Sequence, residues 1–392
     1  MIGEILGGIL LGPTLFGGAI TRTLFPIDVQ PSLGTLANSG VAVFMFLVGL
    51  ELDQSLLRGQ GRIAISVSLG AILLPFSLGS LLALYLVGHH PTHHRLGFML
   101  FLGTAMSITA FPVLARILTD IDLLHTPIGG LALTCASVDD VIAWSLLAVA
   151  ATSSGTGGHP WRVLLVVPFT AFLVFVVRPL LSRLAVRDTA AHRVSRPVAG
   201  RFAGAAALVA VSGGLWLSAE ATNRMGLHVI FGAYLFGVAM PRGHAAAVAE
   251  QALRWIRSAC LTLLLPVFFM VAGIKVNLSS LDGRAFSELG LILLVAIGGK
   301  CVGAFVSARL NGMRVRHSAV LAILVNTRGL TELIVLTVGL QLGALDSRLY
   351  SLMVVMALVT TAMTGVLLRI VHPERLIAED RTPRSPISGK VA

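Results

Sequence analysis

The sequence predicts an all-α polytopic membrane protein of about twelve transmembrane helices, and four observations carry that prediction. Mean hydropathy is +0.89, with 56% hydrophobic residues and only 12% charged, a balance foreign to soluble domains. Apolar stretches of roughly 17–25 residues, long enough to cross the hydrocarbon as helices, recur from end to end. The alternating segments of a membrane β-barrel, roughly ten residues each, are absent. Finally, the arginines fall mostly in the short connections between apolar stretches, where topogenic charge belongs.

Taken in order, the spans run about 3–19, 33–51, 63–87, 96–118, 127–151, 161–182, 201–219, 226–241, 255–274, 287–309, 318–342 and 349–370. The first opens at once on Gly3-Glu4-Ile5 without a basic leader, so no cleavable signal peptide is expected. The third leads into His89-His90-Pro91-Thr92-His93-His94, where Pro91 predicts a turn in a solvated loop, with binding of a soft divalent ion or pH sensing as the lesser alternative. The fourth is interrupted by Ser107-Ile108-Thr109-Ala110-Phe111-Pro112, and the eleventh by Asn326-Thr327-Arg328-Gly329-Leu330-Thr331-Glu332. A polar loop from Arg187 to Gly200 divides the chain near its middle, so the two patches occupy corresponding places. Such a pair points to inverted repeats with two broken crossing helices and a binding site between them. Before the ninth span, Ala245 to Arg257 reads as a surface helix whose Arg254 and Arg257 suit lipid headgroups. After His372 the chain is polar and broken by Pro373, Pro383, Pro386 and Gly389, so residues 372–392 read as a disordered tail. No glycine-rich nucleotide-binding unit is found there, and no cofactor is implied.

A net charge of +11 would suit nucleic acid, but these arginines are not interleaved with aromatics in a groove, and no nucleic-acid partner is expected. The charge instead orients the chain. Connections after even-numbered spans, with the tail, hold 20 Lys and Arg against seven on the other side; Lys300 and Arg328 lie within spans. Both termini are therefore expected in the cytoplasm, with the protein in the plasma membrane. Cys135, Cys260 and Cys301 sit in apolar segments without metal-ligand spacing and read as small core residues.

The functional reading starts from Asp139 and Asp140, about thirteen residues into the fifth span. A carboxylate at that depth costs roughly 2.5–3.5 kcal/mol to insert, which makes it a functional candidate. Adjacent residues on a helix point ~100° apart, so one fixed partner cannot satisfy both. Lys300, about thirteen residues into the tenth span, needs a carboxylate or must lose its proton. Arg328 and Glu332, four residues apart, can pair with each other, which leaves Lys300 one aspartate and the second aspartate free. Hydroxyls of Ser107 and Thr109, with carbonyls freed at the break, add the oxygens that a hard cation wants. Competition between a proton and a monovalent cation for one carboxylate is enough to make an antiporter. A sodium-coupled carrier of an organic anion is an alternative on the same fold. An intramembrane aspartyl protease needs carboxylates from separate helices facing one water, and adjacent aspartates do not offer that.

Six runs carry a resemblance: Gly3 to Pro13, FMFLVGLELD from Phe44, SITAFPVLARIL from Ser107, ASVDDVIAW from Ala136, LLPVFFMVAGIKV from Leu264 and NTRGLTELIVL from Asn326. Together, and in order over residues 1–370, they resemble the sodium/hydrogen exchanger domain of the monovalent cation:proton antiporter-2 family. The resemblance implies that Asp140 binds the ion, that Asp139 partners Lys300 and that Thr109 lies beside them. It also implies a homodimer in which a core moves as an elevator against a scaffold. That places the exchanger domain over 1–371, with the core at about 63–151 and 287–371, the scaffold at about 1–52 and 201–275, and a linker helix at about 161–184. The expected partners are H⁺, Na⁺ or K⁺, and the lipid bilayer. Family members often carry a further helix ahead of the Gly-Glu-Ile motif, which begins here at residue 3; twelve spans, or a start that lies further upstream, both fit.

Overall fold

The structure is a computed structural model that describes residues 2–14, 23, 26, 29–51, 61–90, 92, 94–121, 123, 126–153, 165–183, 197–225, 228–241, 247–279 and 282–371. The expectations placed on the polar loop before Pro197 and on the tail lie outside the described residues.

Among the described residues the fold is helical throughout, without strands. The helices are α1 (Ile2–Leu11), α2 (Gln30–Glu51), α3 (Gly61–Leu86), α4 (Arg95–Ser107), α5 (Phe111–Asp120), α6 (Pro127–Ser153), α7 (Val166–Phe172), α8 (Pro197–Arg224), α9 (Val229–Ala239), α10 (Ala247–Ala259), α11 (Leu265–Ile274), α12 (Gly283–Leu310), α13 (Val315–Val325), α14 (Leu330–Gln341) and α15 (Ser347–Val371). Among the described residues, eight helical stretches are long and apolar enough to cross a membrane, or nine if α13 and α14 form one bent span. Helix is present at every predicted position, but α1 and α9 are short apolar helices of 10 and 11 residues. The predicted surface helix before the ninth span is realised as α10. It runs without a break through one wide turn, Cys260–Leu264, into α11.

Helix packing follows the small residues. α3 lies along α12, α4 and α6, while α2 lies along α9 and α11 and α1 along α11. Where α3 meets α12, a Cβ on Gly303 would run into the backbone of Gly70, so only glycine permits the approach. Gly299, beside Lys300, packs on the Pro75 ring region of α3, whereas Gly298 faces open space. Of the two glycines ahead of Lys300, only Gly299 serves close helix approach. The same closeness brings α9 against α2, where a Cβ on Gly237 would strike the Phe46 carbonyl.

The two predicted interruptions are real breaks. Between α4 and α5, Ile108 (φ −69°, ψ 138°) and Ala110 (φ −93°, ψ 93°) are extended. Pro112 lacks the N–H that would continue the helical ladder and is tolerated in the first turn of α5. Between α13 and α14 the axis bends by 43°. The two breaks cross: the Ala110 N–H donates to the Thr327 carbonyl at 3.0 Å. Gly329 sits so close to Val113 that a Cβ would approach its Cγ2 to 2.5 Å.

Candidate functional site

Crossing two broken helices puts four helix ends in one buried place. The C-terminal carbonyls of α4 and α13 carry partial negative charge there, and the N-terminal amides of α5 and α14 partial positive charge. The side chains complement these ends. Arg328 is fully buried and reaches across to α4, donating to the Ala105 carbonyl at 2.9 Å and the Met106 carbonyl at 2.5 Å. It also pairs with Glu332 Oε1 at 3.0 Å, in the first turn of α14. Lys300, fully buried on α12, donates to the Ser107 carbonyl and stands 3.9 Å from Asp139 Oδ2. Thr361 of α15 closes the group by donating to the Arg328 carbonyl at 2.6 Å.

Asp139 and Asp140 lie in the middle of α6, both buried, and Asp139 faces this crossing. Asp139 Oδ2 accepts a 2.5 Å hydrogen bond from the Thr109 hydroxyl, which also approaches the Val325 carbonyl at 3.1 Å. One threonine thereby touches both breaks and the first aspartate. Asp140 is different. Its Oδ1 is buried and has no hydrogen-bond partner among the described residues. The same is true of Asp139 Oδ1, and of Asn326 Oδ1 and Thr331 Oγ1 in the second break. One turn beyond Asp140, Trp144 packs edge to face on Phe231 of α9, with centroids 6.2 Å apart, so α6 leans on the α2–α9 group here.

Most of the predicted site residues meet. Asp139, Thr109 and Lys300 form one cluster, and Arg328 pairs with Glu332 as the four-residue spacing predicts. Ser107 takes part differently from the expectation. Its hydroxyl turns back to the Thr104 carbonyl of its own helix at 2.8 Å, and it is the Ser107 carbonyl that enters the site. A serine within the last turn of a helix commonly bonds the carbonyl three or four residues back, which consumes the hydroxyl. The bonds from Arg328 to α4 were missed in the sequence. The unsatisfied carbonyls that every helix C-terminus must place were a signal for them. Removing that guanidinium should be costly. Arg328→Ala leaves Glu332 buried without counter-charge, so we expect a loss of about 3–5 kcal/mol, read as an earlier thermal melt in detergent. Arg328→Lys should recover little, because a point charge cannot span two carbonyls and a carboxylate. An unchanged melt for Arg328→Ala would show that the pair is dispensable.

A bundle of apolar helices with an oxygen-lined charged centre at the crossing of two broken helices is a polytopic membrane transporter rather than an enzyme. Residues 1–372 match the family described as sodium/hydrogen exchanger, transmembrane, and the chain belongs to that family. It is 37% identical over 384 residues to the Na(+)/H(+) antiporter NhaS4 of Synechocystis, covering 95% of this chain and 91% of that protein. It is 38% identical over 381 residues to cation/H(+) antiporter 15 of Arabidopsis thaliana, covering 95% of this chain but 44% of the plant protein. The chain thus spans less than half the length of that relative. Its fold is similar to the sodium proton antiporter MjNhaP1 of Methanocaldococcus jannaschii, with a TM-score of 0.62 at 17% identity over 96% of this chain and 91% of that one.

Proposed function

We propose that this protein exchanges H⁺ for a monovalent cation, Na⁺ or K⁺, across the plasma membrane, and that Asp140 binds the two in turn. The observation that carries the reading is the contrast within the aspartate pair. Asp139 is held by Thr109 and faces Lys300, whereas Asp140 has no hydrogen bond or ion pair among the described residues and keeps a buried oxygen without a partner. A buried carboxylate without a partner needs a proton or a cation. Either one neutralises it, and a cation also takes oxygens from carbonyls at the breaks. Loaded with either, the site carries no bare charge through the low-dielectric layer; empty, it does, and the moving part stays put. That is the condition for obligatory exchange.

In this reading residues 63–151 and 287–371 move as an elevator core against a scaffold of 1–52 and 201–275, with 161–184 as the linker and a second copy completing a homodimer. The crossing at Trp144 and Phe231 lies on the sliding surface. The family and its relatives support an antiporter over the organic-anion carrier and leave the protease reading without support. The deciding experiment is dissipation of a preset pH gradient in everted vesicles on adding Na⁺, K⁺ and Li⁺ in turn. A response to at least one is expected, and silence to all three in vesicles that hold the protein would overturn the proposal.

Orientation is tested separately. The charge split of 20 against seven predicts both termini inside. Fusion reporters at residue 392 and within 187–196 should both read cytoplasmic, and an outside reading at either would break the span count.

A further inference from the structure

Within the histidine run after α3, His90 departs from the solvated loop that Pro91 suggests. His90 is 2% exposed. It stands between two carboxylates from distant parts of the chain: Nδ1 is 2.8 Å from Asp346 Oδ2 and Nε2 is 3.4 Å from Glu288 Oε2. Asp346 precedes α15 and uses its other oxygen to accept the Leu349 N–H at 2.7 Å. Glu288 lies in the second turn of α12, 1% exposed, and neither of its carboxylate oxygens has a hydrogen-bond partner among the described residues. The other charged and titratable groups around the cluster are His89, 4.0 Å from Glu288, and Arg348, 4.0 Å from Glu288 and bonded to Asp282 at the start of α12. Tyr85 of α3 packs its ring on His89.

This geometry fixes where protons sit. The Asp346 carboxylate requires a proton on Nδ1. If the ring is neutral, Nε2 then turns a lone pair toward a buried carboxylate, and two acceptors face each other. A second proton on Nε2 converts that clash into a charge-assisted hydrogen bond. The charge count points the same way, since Glu288, Asp346 and Asp282 outnumber Arg348. We propose that His90 and Glu288 form a proton-binding site separate from Asp139 and Asp140, which ties α12 to the corners before α4 and α15 when occupied and releases it when empty. α12 is unbroken from Glu288 to Lys300, about 18 Å along the axis at ~1.5 Å per residue. A loosened N-terminal end of α12 is thereby felt at the ion site. By the arginine bias the cluster faces outside, so external pH is what it senses.

The direction follows from the histidine. Burial alone would hold the His90 pKa down, but the hydrogen bond and charge of Asp346, with Glu288 behind them, outweigh burial and raise it above the ordinary value of 6.5. Asp346 is shifted oppositely: burial pushes it up, but its bonds to His90 and to the Leu349 N–H bring it below 3.8. The tie is complete below the ordinary imidazole range and is lost as pH rises through the raised value.

Two measurements test this on the full-length protein. Hydrogen–deuterium exchange over residues 283–290 and 345–350, corrected for intrinsic rates, should speed up by roughly ten-fold as pH rises through that window, the equivalent of one charge-assisted hydrogen bond. His90→Gln should remove the pH dependence, and Glu288→Gln should reduce it. Equal pH dependence in wild type and His90→Gln would overturn the site whether or not the protein transports anything. The consequence for exchange rests on the antiporter reading. In proteoliposomes, external alkalinity should slow wild type more than His90→Gln, at an unchanged KM for the cation. Parallel profiles would restrict the cluster to a structural role and overturn the claim that the ion site feels it.

Discussion

Asp140→Asn is expected to reduce cation-driven proton movement in proteoliposomes to the level of empty liposomes while leaving the fold intact. An asparagine amide neither binds a proton near neutral pH nor balances a cation. The stability argument runs the other way and makes the test clean. In wild type the Asp140 carboxylate is 3% exposed with one oxygen unpartnered. Exchanging a buried charge that lacks a fixed partner for a neutral isostere removes a desolvation cost. The variant should therefore melt no lower than wild type in detergent. It should also lose the stabilisation that a saturating cation gives the wild type, about 2.7 kcal/mol at a hundred times Kd. Asp140→Glu keeps the carboxylate on a longer arm and should retain some exchange. Measurable exchange by Asp140→Asn would remove Asp140 from the centre of the mechanism.

What the sequence made legible was the expensive chemistry. Apolar length located the helices, and two polar patches inside apolar runs located the breaks at 108–110 and 326–329, because both signals reflect the cost of polar groups in hydrocarbon. The membership of the charged cluster was legible for the same reason. Direction was not. Ser107 and Thr109 are equivalent as hydroxyls in the sequence, yet one bonds back to its own helix and the other leaves for Asp139. That choice depends on which residue still has helical geometry, and Ser107 is the last residue of α4 while Thr109 lies in the extended break. The His90 cluster was hidden for a related reason. Its partners, Glu288 and Asp346, lie roughly 200 and 256 residues away and near span ends, where charges are ordinary. Only the packing of α12 against both α3 and α15 makes them neighbours.

The second large effect concerns Asp139, and it decides whether exchange is electrogenic. If Asp139 and Lys300 stay paired throughout, only Asp140 cycles, and one proton exchanges for one cation. If the incoming cation displaces Lys300 from Asp139, the amine gives up its proton and two protons exchange for one cation. The distances favour the second scheme. At 3.9 Å the pair is outside hydrogen-bond range, and each member already has a nearer partner: Asp139 has Thr109 at 2.5 Å, and Lys300 has the Ser107 carbonyl. A neutral amine can still donate to that carbonyl. Losing the pair thus strands neither group, whereas a tight buried pair that loses one partner would cost about 3–5 kcal/mol. In this scheme the attraction holds a proton on Lys300 until a cation takes its place at Asp139. Transport is therefore expected to generate a membrane potential, and an imposed valinomycin–K⁺ potential should change the rate with Na⁺ as substrate. Asp139→Asn should make any remaining exchange electroneutral, or cripple it, because Lys300 then has no counter-charge to gain or lose. Rates in wild type that ignore the imposed potential would leave Asp139 and Lys300 as a fixed structural pair and return the whole cycle to Asp140.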